Sequence, residues 1–314
     1  MIAQRDVFIQ KLYEKALTDQ DIIMISVDMG APTLDQWKDN LPNQFIAAGI
    51  SEQNAINVAA GLANSGKKVF IYFMASWFSR CIEQVRYSCA MANNPITILG
   101  NSVALGYAPS GPAHEPNEDI ALSRALLNIE IFSPANEFAT SELVDLCLLN
   151  PKLRYIRLER NYAKEVAEVN YDYNHTIKTI KQNELNSDVS VAIISSGYML
   201  GRASKVFDVI CLNYNVKLID VWRIKPLDSE NLYKQLSDCT HIITIEEQSL
   251  SGGFGSAICE FLFDNNLKPC VKRFGLPENY IFENGTRDYL IDSNNLSFEN
   301  ILTQSIEFIN NVKK

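Results

Sequence analysis

Short apolar runs alternate with helical patterns along nearly the whole chain, and this alternation restricts the fold more than any other feature. DIIMISVD (21–28), KVFIYF (68–73), PITILGN (95–101), IEIFSP (129–134) and RYIRLE (154–159) read as strands. Between them SEQNAINVAAGLANSG (51–66), 78–92, 117–127 and 136–149 carry helical patterns, and MIAQRDVFIQKLYEKAL reads as an amphipathic helix ahead of the first strand. Strands that alternate with helices build a parallel sheet covered on both faces.

Residues 161–187 break the pattern, with many polar residues and few apolar pairs. They read as a linker with room for an edge strand. A second series follows: strand 188–197, helix 198–213, strand 216–222, helix 228–236 and strand 241–247. It continues through a glycine turn into a helix, then VKRFGL (271–276) and a last helix over about 297–312. No repeat of 20–50 residues is present. A length of 314 residues, 47% of them hydrophobic, suits about two domains at roughly 100–200 residues each. The expected fold is α/β, with two open, mainly parallel sheets and helices on both faces. The expected division is 1–165, a linker 166–187, and 188–314.

Composition narrows the function. The net charge is −9 and no basic run exceeds a pair, so neither nucleic acid nor an anionic membrane is an expected partner. No apolar stretch is long enough to span a bilayer, and the N-terminus lacks the uninterrupted apolar core of a signal peptide. Cys81, Cys89, Cys147, Cys211, Cys239, Cys259 and Cys270 are scattered, with no C-x-x-C and no His/Cys cluster. That pattern points to a reduced, cytoplasmic protein without structural zinc or a disulfide framework.

Ligands of open α/β sheets bind beyond the carboxyl ends of strands, and three segments there carry chemistry. In GISEQNAINVAAG (49–61), Glu52 stands in the first turn of a helix after a short apolar strand. The helix dipole favours a carboxylate there, so spacing alone equally allows an ordinary helix-terminal charge. In FMASWFSRCIEQVR (73–86), Trp77, Phe78 and Arg80 mark a strand-to-helix junction. Aromatics at such a place usually belong to the core, whereas an arginine among apolar groups needs a partner. In GYAPSGPAHEPNED (106–119), His114 lies in a rigid Gly/Pro-rich loop. It suits proton transfer or substrate binding as well as it suits simple exposure. The GGFG at 252–255 lacks the spacing of a phosphate loop.

The order of these segments resembles the transketolase family. Glu52 followed by Val58-Ala59-Ala60-Gly61 is similar to the glutamate motif of thiamine-diphosphate pyrimidine-binding domains, with Asn57 where that motif usually has Gly. SGPAHEPNEDIALSRALLNIEIFSPAN (110–136) is similar to a stretch shared by transketolases and deoxyxylulose-phosphate synthases. DVWRIKPLD (220–228) and IEEQSLSGGFGSA (245–257) are similar to the family's C-terminal domain. The resemblance runs from Asp28 to the end.

The resemblance implies thiamine diphosphate as cofactor, with Glu52 hydrogen-bonded to its pyrimidine ring. It implies Trp77 packed on that ring, and Met74 and Arg80 at other positions of the same pocket. It implies that His114 binds substrate oxygens and serves the chemistry, and that Arg160 binds a substrate phosphate. Two substrate positions depart from the pattern: Gln36 stands where a second phosphate-binding arginine is expected, and Ser110 replaces an aspartate that contacts a sugar hydroxyl. The segment that holds diphosphate and metal in this family, G-D-G with a distant Asn, does not occur.

The resemblance therefore implies the C-terminal subunit of a split transketolase. Such a subunit transfers a two-carbon ketol unit from a ketose to an aldehyde, acting on small sugar substrates. It needs a separate N-terminal subunit, in an α2β2 assembly, that holds Mg2+ or Ca2+; no metal ligand is expected in this chain. A β subunit of a 2-oxo-acid dehydrogenase shares the two-domain plan but lacks the EDIALSRALLN-like run. A non-catalytic assembly subunit is the other alternative, and the presence of Glu52 and His114 argues against it.

Overall fold

The computed structural model describes residues 3–160 and 171–311. The first half runs α1 (Gln4–Ala16), β1 (Ile22–Val27), α2 (Pro32–Asn40), β2 (Phe45–Gly49), α3 (Glu52–Asn64) and β3 (Lys68–Met74). It continues with α4 (Phe78–Gln84), β4 (Ile96–Asn101), α5 (Asp119–Ala125), β5 (Glu130–Phe132), α6 (Glu137–Leu149) and β6 (Arg154–Leu158). The second half runs β7 (Ile177–Gln182), β8 (Ser190–Ser195), α7 (Met199–Ile210), β9 (Asn215–Val221), β10 (Arg223–Lys225) and α8 (Ser229–Leu236). It ends with β11 (His241–Ser249), α9 (Phe254–Asp264), β12 (Cys270–Leu276), α10 (Arg287–Ile291) and α11 (Phe298–Asn311).

The strands make two sheets, in the orders β10-β5-β6-β4-β3-β1-β2 and β12-β11-β8-β9-β7. All pairings are parallel except β10 with β5 and β7 with β9, at one end of each sheet. The fold is thus the α/β arrangement of two mainly parallel sheets that the alternation implies.

The side-chain period of a strand explains how both faces are filled. In β3, Val69, Ile71 and Phe73 pack with Ala55, Ile56 and Ala59 of α3 and with Phe78 and Cys81 of α4. The alternate residues Phe70 and Tyr72 pack with Phe8 and Leu12 of α1, Leu34 and Trp37 of α2, and Leu143 of α6. The first of these clusters continues into the second sheet, through Ile131 and Tyr155 to Ala192, Ile194 and Ile219 and on to Phe254 and Ile258 of α9. Polar caps set the starts of α6 and α8. Asn136 accepts from the Ala139 N–H at 2.9 Å and Asp228 from the Asn231 N–H at 3.2 Å, which satisfies donors a helix leaves free.

Within the expected linker 166–187, residues 166–170 lie outside the described residues, and Ile177–Gln182 forms the edge strand for which the sequence left room, antiparallel on the second sheet. The structure departs from the sequence reading in particular places. Residues 223–225, expected within the second domain, cross over and pair with β5 of the first sheet. There they cover an edge that would otherwise leave backbone groups unpaired. Trp222, at this crossing, is fully buried against Phe132 and Tyr171, with ring centroids 6.0 and 5.4 Å away. The helix expected over 78–92 is α-helical only to Gln84 and winds wider over Val85–Met91.

A buried ion cluster joins the sheets. Arg287 of α10 contacts Glu159, just beyond β6, at 2.7 and 2.9 Å. The same guanidinium contacts Glu247 of β11 at 2.9 and 2.6 Å and lies 3.6 Å from the Tyr198 ring centroid. Burial opposes its charge, but the two carboxylates win and hold Arg287 well above the usual arginine range. Removing the cation strands two buried carboxylates. Arg287→Met is expected to cost about 3–5 kcal/mol of stability, read as a shift of the urea midpoint at an unchanged slope.

Candidate active site

The segments singled out by sequence meet at the carboxyl edge of the first sheet. Gly49 turns the chain out of β2 with φ +65°, a left-handed conformation that favours glycine. Ser51 then steadies the turn by donating from its hydroxyl to the Ala48 carbonyl at 2.7 Å. Glu52 opens α3 and is only 6% exposed. Its Oε1 is buried without a hydrogen-bond partner, and Arg80 Nη1 stands 3.5 Å away, an ion-pair rather than a hydrogen-bond contact. Arg80 is half exposed and lies over Trp77, 4.1 Å from the ring centroid, in a cation–π arrangement beside its contact with Glu52. Beneath them, burial and then the charge of Glu52 push the Cys81 thiol up to about 12, so it stays protonated.

Trp77 faces the histidine loop. The Trp77 and His114 ring centroids are 5.3 Å apart at 60°, and His114 and Tyr107 are 5.7 Å apart. Arg160 lies over Tyr107, 5.1 Å from its centroid. The loop itself is pinned at both ends. The Leu105 N–H donates to Glu247 at 3.2 Å. At the other end, Asp119 accepts from the Tyr155 hydroxyl at 2.7 Å and from Arg157 at 2.9 Å. His114 Nδ1 is buried and has no hydrogen-bond partner.

Met74, Trp77, His114 and Arg160 line one open cleft of about 320 Å3, together with Arg5, Asp28 and Tyr107, which sequence reasoning did not single out. Glu52 borders this group through Arg80. Gln36 and Ser110 are not among the lining residues. The Gln36 amide donates to Gln10 of α1 at 2.5 Å, and Ser110 is exposed at the end of a short turn before Gly111. A larger hollow, of about 510 Å3, sits at the amino ends of the second sheet beside Cys239 and Cys270. It holds none of the candidate residues, and amino ends are not where such sheets bind ligands.

The glycine turn at 252–255 is occupied by the protein itself. The Glu246 carboxylate accepts from the Phe254 and Gly255 N–H groups at 2.6 and 2.8 Å. A Cβ on Gly253 would lie 2.5 Å from that carboxylate, which explains the glycine and leaves no cradle for a phosphate. Among the described residues no group of three or more His, Cys, Asp or Glu could hold a metal ion.

Residues 1–164 match the family model described as the transketolase pyrimidine-binding domain, and residues 181–301 the transketolase C-terminal domain. The chain is 32% identical over 312 residues to one of the subunits of the apulose-4-phosphate transketolase of Phocaeicola vulgatus, covering 98% of both chains. It is 31% identical over 278 residues to 1-deoxy-D-xylulose-5-phosphate synthase of Halothermothrix orenii, covering 88% of this chain but 43% of that one. A solved structure described as a split gene transketolase, inactive β4 tetramer, matches with TM-score 0.85 at 25% identity over 99% of both chains. A transketolase of Pichia stipitis shares the fold, with TM-score 0.79 at 17% identity, and this chain spans 46% of it.

Glu115, next to His114, gives the loop a measurable signature. It is 3% exposed and neither carboxylate oxygen has a hydrogen-bond partner. Burial, then the charge of Glu247, push it up to about 7. A carboxyl with a raised folded-state pKa stabilises the fold fully below the ordinary carboxylate range, and this contribution is lost as pH rises toward about 7. Glu115→Gln is therefore expected to flatten the fall in stability across that window. Paired urea titrations of the two proteins at several pH values measure the difference.

Proposed function

The chain belongs to the transketolase family, and on that premise we propose that it is the C-terminal subunit of a thiamine-diphosphate-dependent enzyme. In this reading the enzyme transfers a two-carbon ketol unit from a ketose donor to an aldehyde acceptor. The observation that carries it is the Glu52 carboxylate, buried at the head of α3 with one oxygen lacking a hydrogen-bond partner. Leaving such an acceptor unpaired is costly, and a protonated ring nitrogen of the cofactor's pyrimidine satisfies it. When bound, thiamine diphosphate supplies a nucleophilic carbon and an electron sink for C–C cleavage.

The chain's own residues then divide the work. Glu52 holds the ring by a hydrogen bond, and Trp77 and Met74 wall it with apolar surface. Arg80 neutralises Glu52 from the open side. His114 keeps a buried ring nitrogen available for a substrate oxygen, and Arg160 offers donors to an anionic substrate group. Ser110 and Gln36, outside the cleft, take a lesser part. A separate N-terminal subunit supplies the diphosphate half of the site with Mg2+ or Ca2+, in an α2β2 assembly. Two likenesses support this. The Phocaeicola relative is named as one subunit of its transketolase and matches this chain over nearly its full length, and the β4 tetramer of a split transketolase is described as inactive. The cytoplasm is the proposed location. Every cysteine is free, and among the described residues no helix is long and apolar enough to cross a membrane.

The chain is expected to copurify with its N-terminal partner and to show ketol transfer only in that complex. Tight thiamine-diphosphate binding by the purified chain alone, measured calorimetrically with Mg2+, would refute the split site. In the complex, Glu52→Gln is expected to slow deuterium exchange at the thiazolium C2 by roughly 10²–10⁴-fold while leaving the circular dichroism spectrum unchanged.

A further inference from the structure

A histidine that meets substrate is ordinarily oriented by a hydrogen bond to one of its ring nitrogens. His114 Nδ1 is buried and has no such partner. Two rings stand against the imidazole instead: Trp77, 5.3 Å away at 60°, and Tyr107, 5.7 Å away at 41°. We propose that Tyr107 is a positioning residue of this cleft. Its ring, fixed in the loop, holds the His114 imidazole to Trp77 and so sets the direction of the ring nitrogens. The substrate that His114 meets rests on the ketol-transfer reading; the packing of the rings does not.

Tyr107 can be the fixed member because its neighbours in sequence are sealed in a core. Leu105 and Ala108 are fully buried and belong to the cluster around Ile193 and Ile245 of the second sheet. The Ala108 N–H donates to the Leu105 carbonyl at 3.1 Å and the Ser110 N–H to the Tyr107 carbonyl at 3.0 Å. Tyr107 therefore sits between closed turns with little backbone freedom. His114 is carried differently. It ends the short turn Pro112–His114, none of whose residues is buried, and Gly111 at φ +73° joins this turn to the one before. Such a segment has no packed side of its own to orient a ring. Contact with a fixed aromatic supplies the orientation, because tilted and edge-on aromatic pairs have preferred geometries.

The row of stacked groups continues at both ends. Arg80 lies over Trp77 at 4.1 Å, and Arg160 lies over Tyr107 at 5.1 Å. Each guanidinium rests on a ring that touches His114, so neither aromatic can turn away without losing a cation–π contact. Arg80 in turn contacts Glu52. The imidazole is thereby linked, through side chains in contact, to the carboxylate assigned to the cofactor. What orients a ring here is another ring, so phenylalanine can stand in for Tyr107 and leucine cannot.

Tyr107→Leu, reconstituted with the N-terminal partner, is expected to lower kcat by roughly 10–10²-fold, the cost of a displaced reacting group, with KM less affected. Tyr107→Phe is expected to recover most of that loss. His114→Asn supplies the second background. A residue that acts through His114 costs little further once the imidazole is gone. An equal loss from Tyr107→Leu in both backgrounds overturns the proposal, and so does a Tyr107→Phe complex as slow as Tyr107→Leu. Should the complex show no ketol transfer, that failure belongs to the functional reading, and the imidazole is probed directly in the full chain. Diethyl pyrocarbonate modification is followed by mass spectrometry at each of the three histidines. His114 is expected to react several-fold faster in Tyr107→Leu than in Tyr107→Phe or the unsubstituted protein, with His175 and His241 alike in all three. Equal rates at His114 overturn the positioning role itself.

Discussion

A guanidinium sealed between two carboxylates holds this molecule together where its parts meet. Arg287 takes Glu159 from the end of β6 and Glu247 from β11, so one side chain joins both sheets. Each carboxylate has a second duty. Glu247 accepts the Leu105 N–H at the root of the histidine loop. The Glu159 backbone is the anchor for Gln4 and Arg5 of α1. Desolvating three charges is costly, and only full mutual pairing offsets it. The cluster is therefore satisfied in one arrangement, and that arrangement brings distant segments of chain to one edge of the first sheet.

The parts of the fold that sequence made legible are those where burial acts on both faces of a strand. KVFIYF at 68–73 has no polar side because helices cover each face, and continuous apolar runs of that length are readable. The parts it hid are strands made by their neighbours. Arg223–Lys225 carries two charges in three residues, and pairing with β5 is what makes it a strand. Ile177–Gln182 is mostly half-buried and mixes lysines with apolar residues, so the sequence left room for an edge strand there without giving its bounds.

The cleft divides along the same line. Glu52, Met74, Trp77 and Arg80 follow directly from strand ends, so the fold class alone places them near one another. Arg5 gives no local signal, since it joins the cleft through a hydrogen bond between residues 155 apart in sequence. Tyr107 was hidden among the glycines and prolines of its loop. Gln36 shows the opposite difficulty. A position aligned by residue order alone does not reveal that its side chain lies against another helix. The glycine turn at 252–255 carries a related lesson: an anion-binding shape is no vacancy when a carboxylate of the chain already fills it.

The strand that β10 lends to the first sheet makes the two halves poor candidates for exchange. A hybrid that joins the first 165 residues to the C-terminal half of a distant relative inherits a foreign border for β5. It also replaces Trp222, whose ring lies 6.0 Å from that of Phe132 across the junction. Recombination between family members is therefore constrained less by the polar connector than by four residues well beyond it. A viable crossover must carry Trp222 through Lys225 along with the sheet they complete.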